Sequence, residues 1–167
     1  MIMNAQLIEM AFSRRQLNKH MSFGEAIALL WEQGMISKGE LAEKAISHTS
    51  GLRQQAKCHK GSDFEDRSDS KFITVTYYKS TAYACLKSIE NKVGTLRVCV
   101  HEPKTDRYYY FLLPPRVYNN YKNTNNSMKI WFTKDGQPKP PKRAGSLNLW
   151  KYEVTAEKWS GRLKPSR

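Results

Sequence analysis

Cysteine is scarce in this chain: three thiols in 167 residues, Cys58, Cys85 and Cys99, odd in number and far apart. That argues against a disulfide framework and leaves buried thiols as the simple reading. There is no Cys-x-x-Cys pair, although "KCHKG" and "VCVH" set His59 and His101 near two of the thiols, a zinc site only if the fold joins them. Long apolar runs are missing too. No stretch approaches the 18 residues of a membrane span, and the charged start "MIMNAQLIEMAFSRRQLNKH" has no small-residue cleavage site, so the expectation is a cytoplasmic protein with no membrane segment. His20, His48, His59 and His101 sit in no G-x-S-x-G context, and no glycine-rich loop could cradle a phosphate. Acids are outnumbered: 15 against 28 Lys and Arg, for a net charge of +13. Such an excess implies a polyanionic partner, and nucleic acid is favoured over a merely solvated basic surface.

The basic residues crowd into the part after Pro114, where they alternate with Tyr118, Tyr121, Trp131, Trp150 and Trp159. "RVYNNYKNTNN" supplies side chains that bond bases and phosphates, and "KPPKRAG" a loop able to wrap a duplex. Arg116, Asn119, Asn120, Tyr121, Lys122, Asn123, Lys139, Lys142 and Arg143 are the expected DNA contacts.

Helices are expected first. "SFGE" and "SKGE" are capping boxes that make Ser22 and Ser37 N-caps, with one apolar stripe on Phe23, Ile27, Leu30 and Trp31 and another on Leu41, Ala45 and Ile46. Gly34 turns the chain between them. This hairpin reads as packing: Lys38, Glu40, Glu43 and Lys44 are not the Arg and Asn of a DNA-recognition helix. From Lys71 the pattern favours strands in "KFITVTYY", "TLRVCVHE" and "RYYYFLLP", the last two as a hairpin. A helix is expected over 81–90 from the spacing of Ala82, Cys85, Leu86 and Ile89, and strands over 128–133 and 147–152. "KDGQPKPPKRAG" reads as a loop and "SGRLKPSR" as frayed or ordered by a partner.

"KGSDFEDRSDSKFITVTYY" packs Asp63, Glu65, Asp66 and Asp69 into seven residues ahead of a strand. Two apart on that strand, Asp69 and Lys71 share a face. A tight turn in "FEDRS" would return Asp63 to meet them. Two carboxylates and a phosphate oxygen suit magnesium, while a lysine stabilises developing charge or orients water, so phosphodiester hydrolysis fits these parts. The bland alternative is an exposed loop whose acids pair with Arg53, Lys57, Lys60 and Arg67. A calcium loop is disfavoured, since the central Gly and terminal Glu of an EF-hand are absent.

Asp63 followed by Asp69-Ser70-Lys71 at the start of a strand, after a helical segment, resembles the active site of the PD-(D/E)XK nuclease superfamily, compact type II restriction endonucleases above all. The resemblance implies an α/β fold with a mixed central sheet flanked by helices and a mainly helical N-terminal part. It gives Asp63 and Asp69 the role of holding Mg2+ or Mn2+, and Lys71 that of assisting the water. Asp66 competes with Asp63 as the first acid, and Glu65 and Glu43 are possible accessory acids. The expected organisation is one nuclease domain over 1–167: 1–60 mainly helical, 61–113 catalytic, 114–167 contacting DNA. Its implied substrate is a short palindromic site in double-stranded DNA, cut by a homodimer whose two-fold axis matches that of the site. The alternatives are a monomeric repair or phage-type nicking endonuclease and a non-catalytic DNA-binding protein.

Overall fold

The computed structural model describes residues 31–55, 62–87, 94–119 and 128–164. Helix α1, Lys38–Ser50, begins where the sequence places a cap. Ser37 Oγ accepts from the Glu40 amide at 3.2 Å and Glu40 Oε2 from the Ser37 amide at 2.9 Å, so two helix-end donors are satisfied reciprocally. Gly51, at φ 71°, ends the helix in the left-handed conformation that glycine adopts without a Cβ clash. Leu41, Ala42, Ala45 and Ile46 form its buried face. The Ser22 cap and the stripe from Phe23 to Leu30 lie outside the described residues.

Among the described residues seven strands follow: β1 Asp69–Thr74, β2 Thr76–Tyr78, β3 Thr81–Leu86, β4 Leu96–Glu102, β5 Arg107–Leu113, β6 Met128–Phe132 and β7 Glu153–Val154. They build two sheets. The larger, mixed one has the order β1-β4-β5-β7, with β1 parallel to β4 and the other pairs antiparallel; the smaller is antiparallel, β2-β3-β6. Two short helices also lie among the described residues, α2 Pro115–Tyr118 and α3 Ala156–Ser160.

The larger sheet is the middle layer. On one face Cys99 and Tyr110, with half-buried Phe72 and Leu112, pack against α1 and against Trp159 of α3. On the other, Leu96, Val98, Val100, Tyr109, Phe111 and Leu113 meet Ala82, Ala84, Leu86, Met128, Ile130 and Phe132 of the small sheet. The fold is α/β with a mixed sheet, as expected; among the described residues α1 and α3 cover one face, and the second sheet, joined by Val117 and Tyr118 of α2, covers the other.

Several elements differ from the sequence reading. The helix expected over 81–90 is strand β3 as far as Leu86, because burial there has period two: Ala82, Ala84 and Leu86 are inside and Tyr83 and Cys85 face outward. "KFITVTYY" is two strands in different sheets, parted at buried Val75, whose amide still donates to His101 O at 2.9 Å. The strand expected over 147–152 is a 3-10 turn, Leu149–Tyr152, because the Asn148 side chain caps the Trp150 amide at 3.0 Å; β7 starts only after it. "SGRL" is not frayed. Ser160 is buried and Gly161 O accepts from Arg97 Nη1 at 2.7 Å.

Candidate active site

The acid-rich stretch closes into the turn its composition allows. Arg67 donates its amide to Phe64 O at 3.0 Å and adopts φ 64°, and the Phe64 amide donates to Ser68 O at 3.2 Å. Pairing with the chain behind α1 fixes the turn in place: Gln55 donates to Asp63 O at 2.8 Å and Glu65 to Arg53 O at 3.0 Å. The chain then enters β1 with the Asp69 amide bonded to Thr95 O at 3.1 Å, on the β4 side. The Ser70 amide consequently points away from β4, to the outer edge of β1. There Asp63 Oδ2 accepts it at 2.8 Å.

Asp63 and the start of β1 are thus brought together across seven residues of sequence. Asp69 is 2 % exposed, and Lys71, half-buried, shares its face by strand alternation. That face also carries Ile73 into the core beside the small sheet, whereas Phe72 turns to the helices. Tyr118 of α2 stands close by, donating its hydroxyl to Gly94 O. Burial, and then the charge of Asp69, pushes the Tyr118 hydroxyl above its ordinary pKa. Gly94 is close-packed: a Cβ there would run into the Arg67 carbonyl.

The other acids have different employment. Asp66 Oδ1 accepts from the Ser68 amide at 2.9 Å and the Ser68 hydroxyl at 2.5 Å, and its Oδ2 pairs with Arg97 Nη2 at 3.3 Å. Of the two competing first acids, Asp63 therefore reaches β1, and Asp66 is held by a structural pair. Glu65 is exposed on the turn, and Glu43, on α1, takes a long 3.5 Å hydrogen bond from Gln54 Nε2. Gln54 bridges Phe64, so Glu43 approaches the acid loop from the helix side.

Arg97 is what the sequence reading missed. Wholly buried, it donates Nη1 to Trp159 O and Gly161 O, both at 2.7 Å, Nε to Ser68 Oγ at 3.2 Å and Nη2 to Asp66. Burial lowers its pKa and the charge of Asp66 opposes that. A lone arginine inside the apolar run of "TLRVCV" was the available signal, since a guanidinium is buried only when its donors are met.

The expected DNA contacts fall in separate places. Exposed Arg116 and Asn119 flank Tyr118, at the acid end of the sheet. Exposed Lys139, Lys142 and Arg143 follow β6, and the turn before them packs Gly136 against Glu102. Glu102 ends β4, six residues from Leu96, the partner of Asp69, or roughly 20 Å along a strand. Asn120, Tyr121, Lys122 and Asn123 lie outside the described residues, as do Cys58 and His59. His101 Nε2 contacts Asp106 Oδ1 at 2.8 Å and Cys99 is in the core. Among the described residues no three His, Cys, Asp or Glu side chains gather as a metal-holding group, and no helix is long and apolar enough to cross a membrane. Compared with models of known protein families and with curated proteins, the chain matches none.

Proposed function

We propose that the chain is a divalent-metal-dependent DNA endonuclease of the PD-(D/E)XK kind, a type II restriction enzyme cutting a short palindrome as a homodimer. The observation that carries the reading is the bond from the Ser70 amide to Asp63 Oδ2, which sets a second carboxylate at the end of β1 where Asp69 begins the strand and Lys71 follows on its face. A pair of carboxylates with room for water and a phosphate oxygen is the donor set that magnesium or manganese takes, and Asp63 and Asp69 would hold the ion. When bound, it supplies Lewis-acid polarisation of the phosphate and a more acidic water. Lys71 stabilises charge developing on the phosphoryl oxygens and orients the attacking water. Exposed Arg116 and Asn119, beside Tyr118, contact the DNA backbone next to the cut.

Supercoiled plasmid and magnesium test the reading. The wild type should give linear product with discrete ends, while Asp69→Asn and Lys71→Ala lose cleavage by orders of magnitude and keep DNA binding. Asp63→Asn should be as severe and Asp66→Asn milder in rate, with its main effect on melting temperature. Open circles alone would favour the monomeric nicking enzyme. The second reading, a DNA-binding protein without catalysis, draws on the lack of a three-member metal group among the described residues. A mobility shift with no cleavage in magnesium or manganese would establish it.

A further inference from the structure

The small sheet has two unlike faces. Ala82, Ala84, Leu86, Met128, Ile130 and Phe132 point into the core. By alternation Tyr78 on β2, Tyr83 on β3 and Lys129 and Trp131 on β6 belong to the opposite, outer face. Register sets them side by side: Tyr83 pairs with Trp131, and Cys85 with Lys129. The Tyr83 and Trp131 rings meet edge to face at 5.5 Å, and Lys129 Nζ lies 4.5 Å from the centre of the first and 5.5 Å from that of the second. Tyr78 is 60 % exposed, with Lys79 Nζ 5.3 Å over its ring. Beyond β6 the chain doubles back along the edge. Pro138 bridges Phe132, and Lys139 donates its amide to Trp131 O at 3.0 Å, which places exposed Lys139 across from Trp131.

Charge on these strands has one sign. Residues 76–87 and 128–134 contain Lys79, Lys87, Lys129 and Lys134 and no Asp or Glu. An outer face made only for water has no need of three aromatic rings, and cation–π contacts at such exposure stabilise a sheet only weakly. Rings offering π-faces among cations match the bases and phosphates of a nucleic acid strand. They match an unpaired strand better than a duplex, because in a duplex the π-faces are stacked away and its base edges are read by groups such as Arg and Asn, absent from these strands.

We propose that the outer face of the small sheet binds single-stranded nucleic acid, bases stacking on Tyr83, Trp131 and Tyr78 and phosphates pairing with Lys129, Lys79 and Lys139. Lys129 is the exchangeable part: its ammonium leaves the rings for a phosphate as a base takes its place. This goes beyond the nuclease reading and needs none of Asp63, Asp69 or Lys71.

Anisotropy of fluorescein-labelled oligothymidylate, measured in EDTA so that no cleavage enters, tests it. Tyr83→Leu and Trp131→Leu should each weaken binding by about fivefold to a hundredfold while heparin, a polyanion without bases, binds as before. Tyr83→Phe, which keeps the ring, should bind like the wild type, and Lys129→Gln should weaken both ligands and flatten the salt dependence. Ultraviolet cross-linking of the wild type, which depends on no variant, should mark the peptides of Tyr83 and Trp131. The proposal is overturned if ring variants that melt normally bind oligothymidylate as tightly as the wild type, or if cross-links fall only elsewhere. Equal competition by duplex DNA or polyglutamate would likewise reject it in favour of a face that senses charge alone.

Discussion

Glu102 keeps a carboxylate at 0 % exposure by filling its lone pairs. It accepts from the amides of Lys104 at 2.9 Å and Thr105 at 2.7 Å, from Thr105 Oγ1 at 2.5 Å and from the Tyr77 hydroxyl. Burial pushes its pKa up, but the bonds from Thr105, Tyr77 and the two amides outweigh that, so the net direction is down from 4.5. A depressed carboxyl stabilises the fold fully above its unfolded value, and the contribution is lost as pH falls through the folded one. Glu102→Gln should therefore cost about 1 to 3 kcal/mol at neutral pH. In urea melts from pH 7 to pH 3, the gap between variant and wild type should close below about pH 4.5. Tyr77 has the opposite sign. Burial, and then Glu102, drives its hydroxyl far above 10.0, so its contribution is complete below pH 10 and lost as pH rises through the folded value. Tyr77→Phe should be the less alkali-sensitive protein in the same melts, continued above pH 10.

Elements differ in how much their ends matter. Ser37→Ala removes one side of the α1 capping box and should cost about 1 kcal/mol by thermal melt, with any cleavage or nucleic-acid binding unchanged. Gly94→Ala puts a methyl against the Arg67 backbone, which cannot swing aside as a side chain can. It should cost about 1 to 3 kcal/mol and, by shifting the acid turn from β1, lower any magnesium-dependent cleavage as well. These two glimpses explain what was legible. The Ser37 capping box, the β4–β5 hairpin and the turn returning Asp63 are local chemistry, written within a few residues. The fate of 81–86 was not local: two alanines, a cysteine and a leucine suit a helix until a partner strand, β6, chooses period two. The break at Val75 depends likewise on two sheets having to share a core, and the role of Asp66 on Arg97, 31 residues away.

At the scale of the whole molecule, the net charge of +13 includes exposed Arg116 at the acid end and Lys129 on the outer face of the small sheet. Binding of nucleic acid should fall steeply with salt, by roughly a thousandfold or more between 50 and 200 mM if six or more phosphates are engaged. Filter binding across that range checks it, and a flat response would show that charge is not what holds the ligand. The core, by contrast, joins distant parts of the chain. Arg97 takes the carbonyls of Trp159 and Gly161, 62 and 64 residues downstream, and its Nη2 and Nε hold Asp66 and Ser68. During synthesis the guanidinium is therefore made well before its two carbonyl acceptors. Until they are made it must stay in water, so the strand that carries it cannot be sealed under the helices, and the Asp66 turn waits with it. The packing of the β4 strand against the Asp66 turn is, on this account, completed only once residues 159 to 161 have been made.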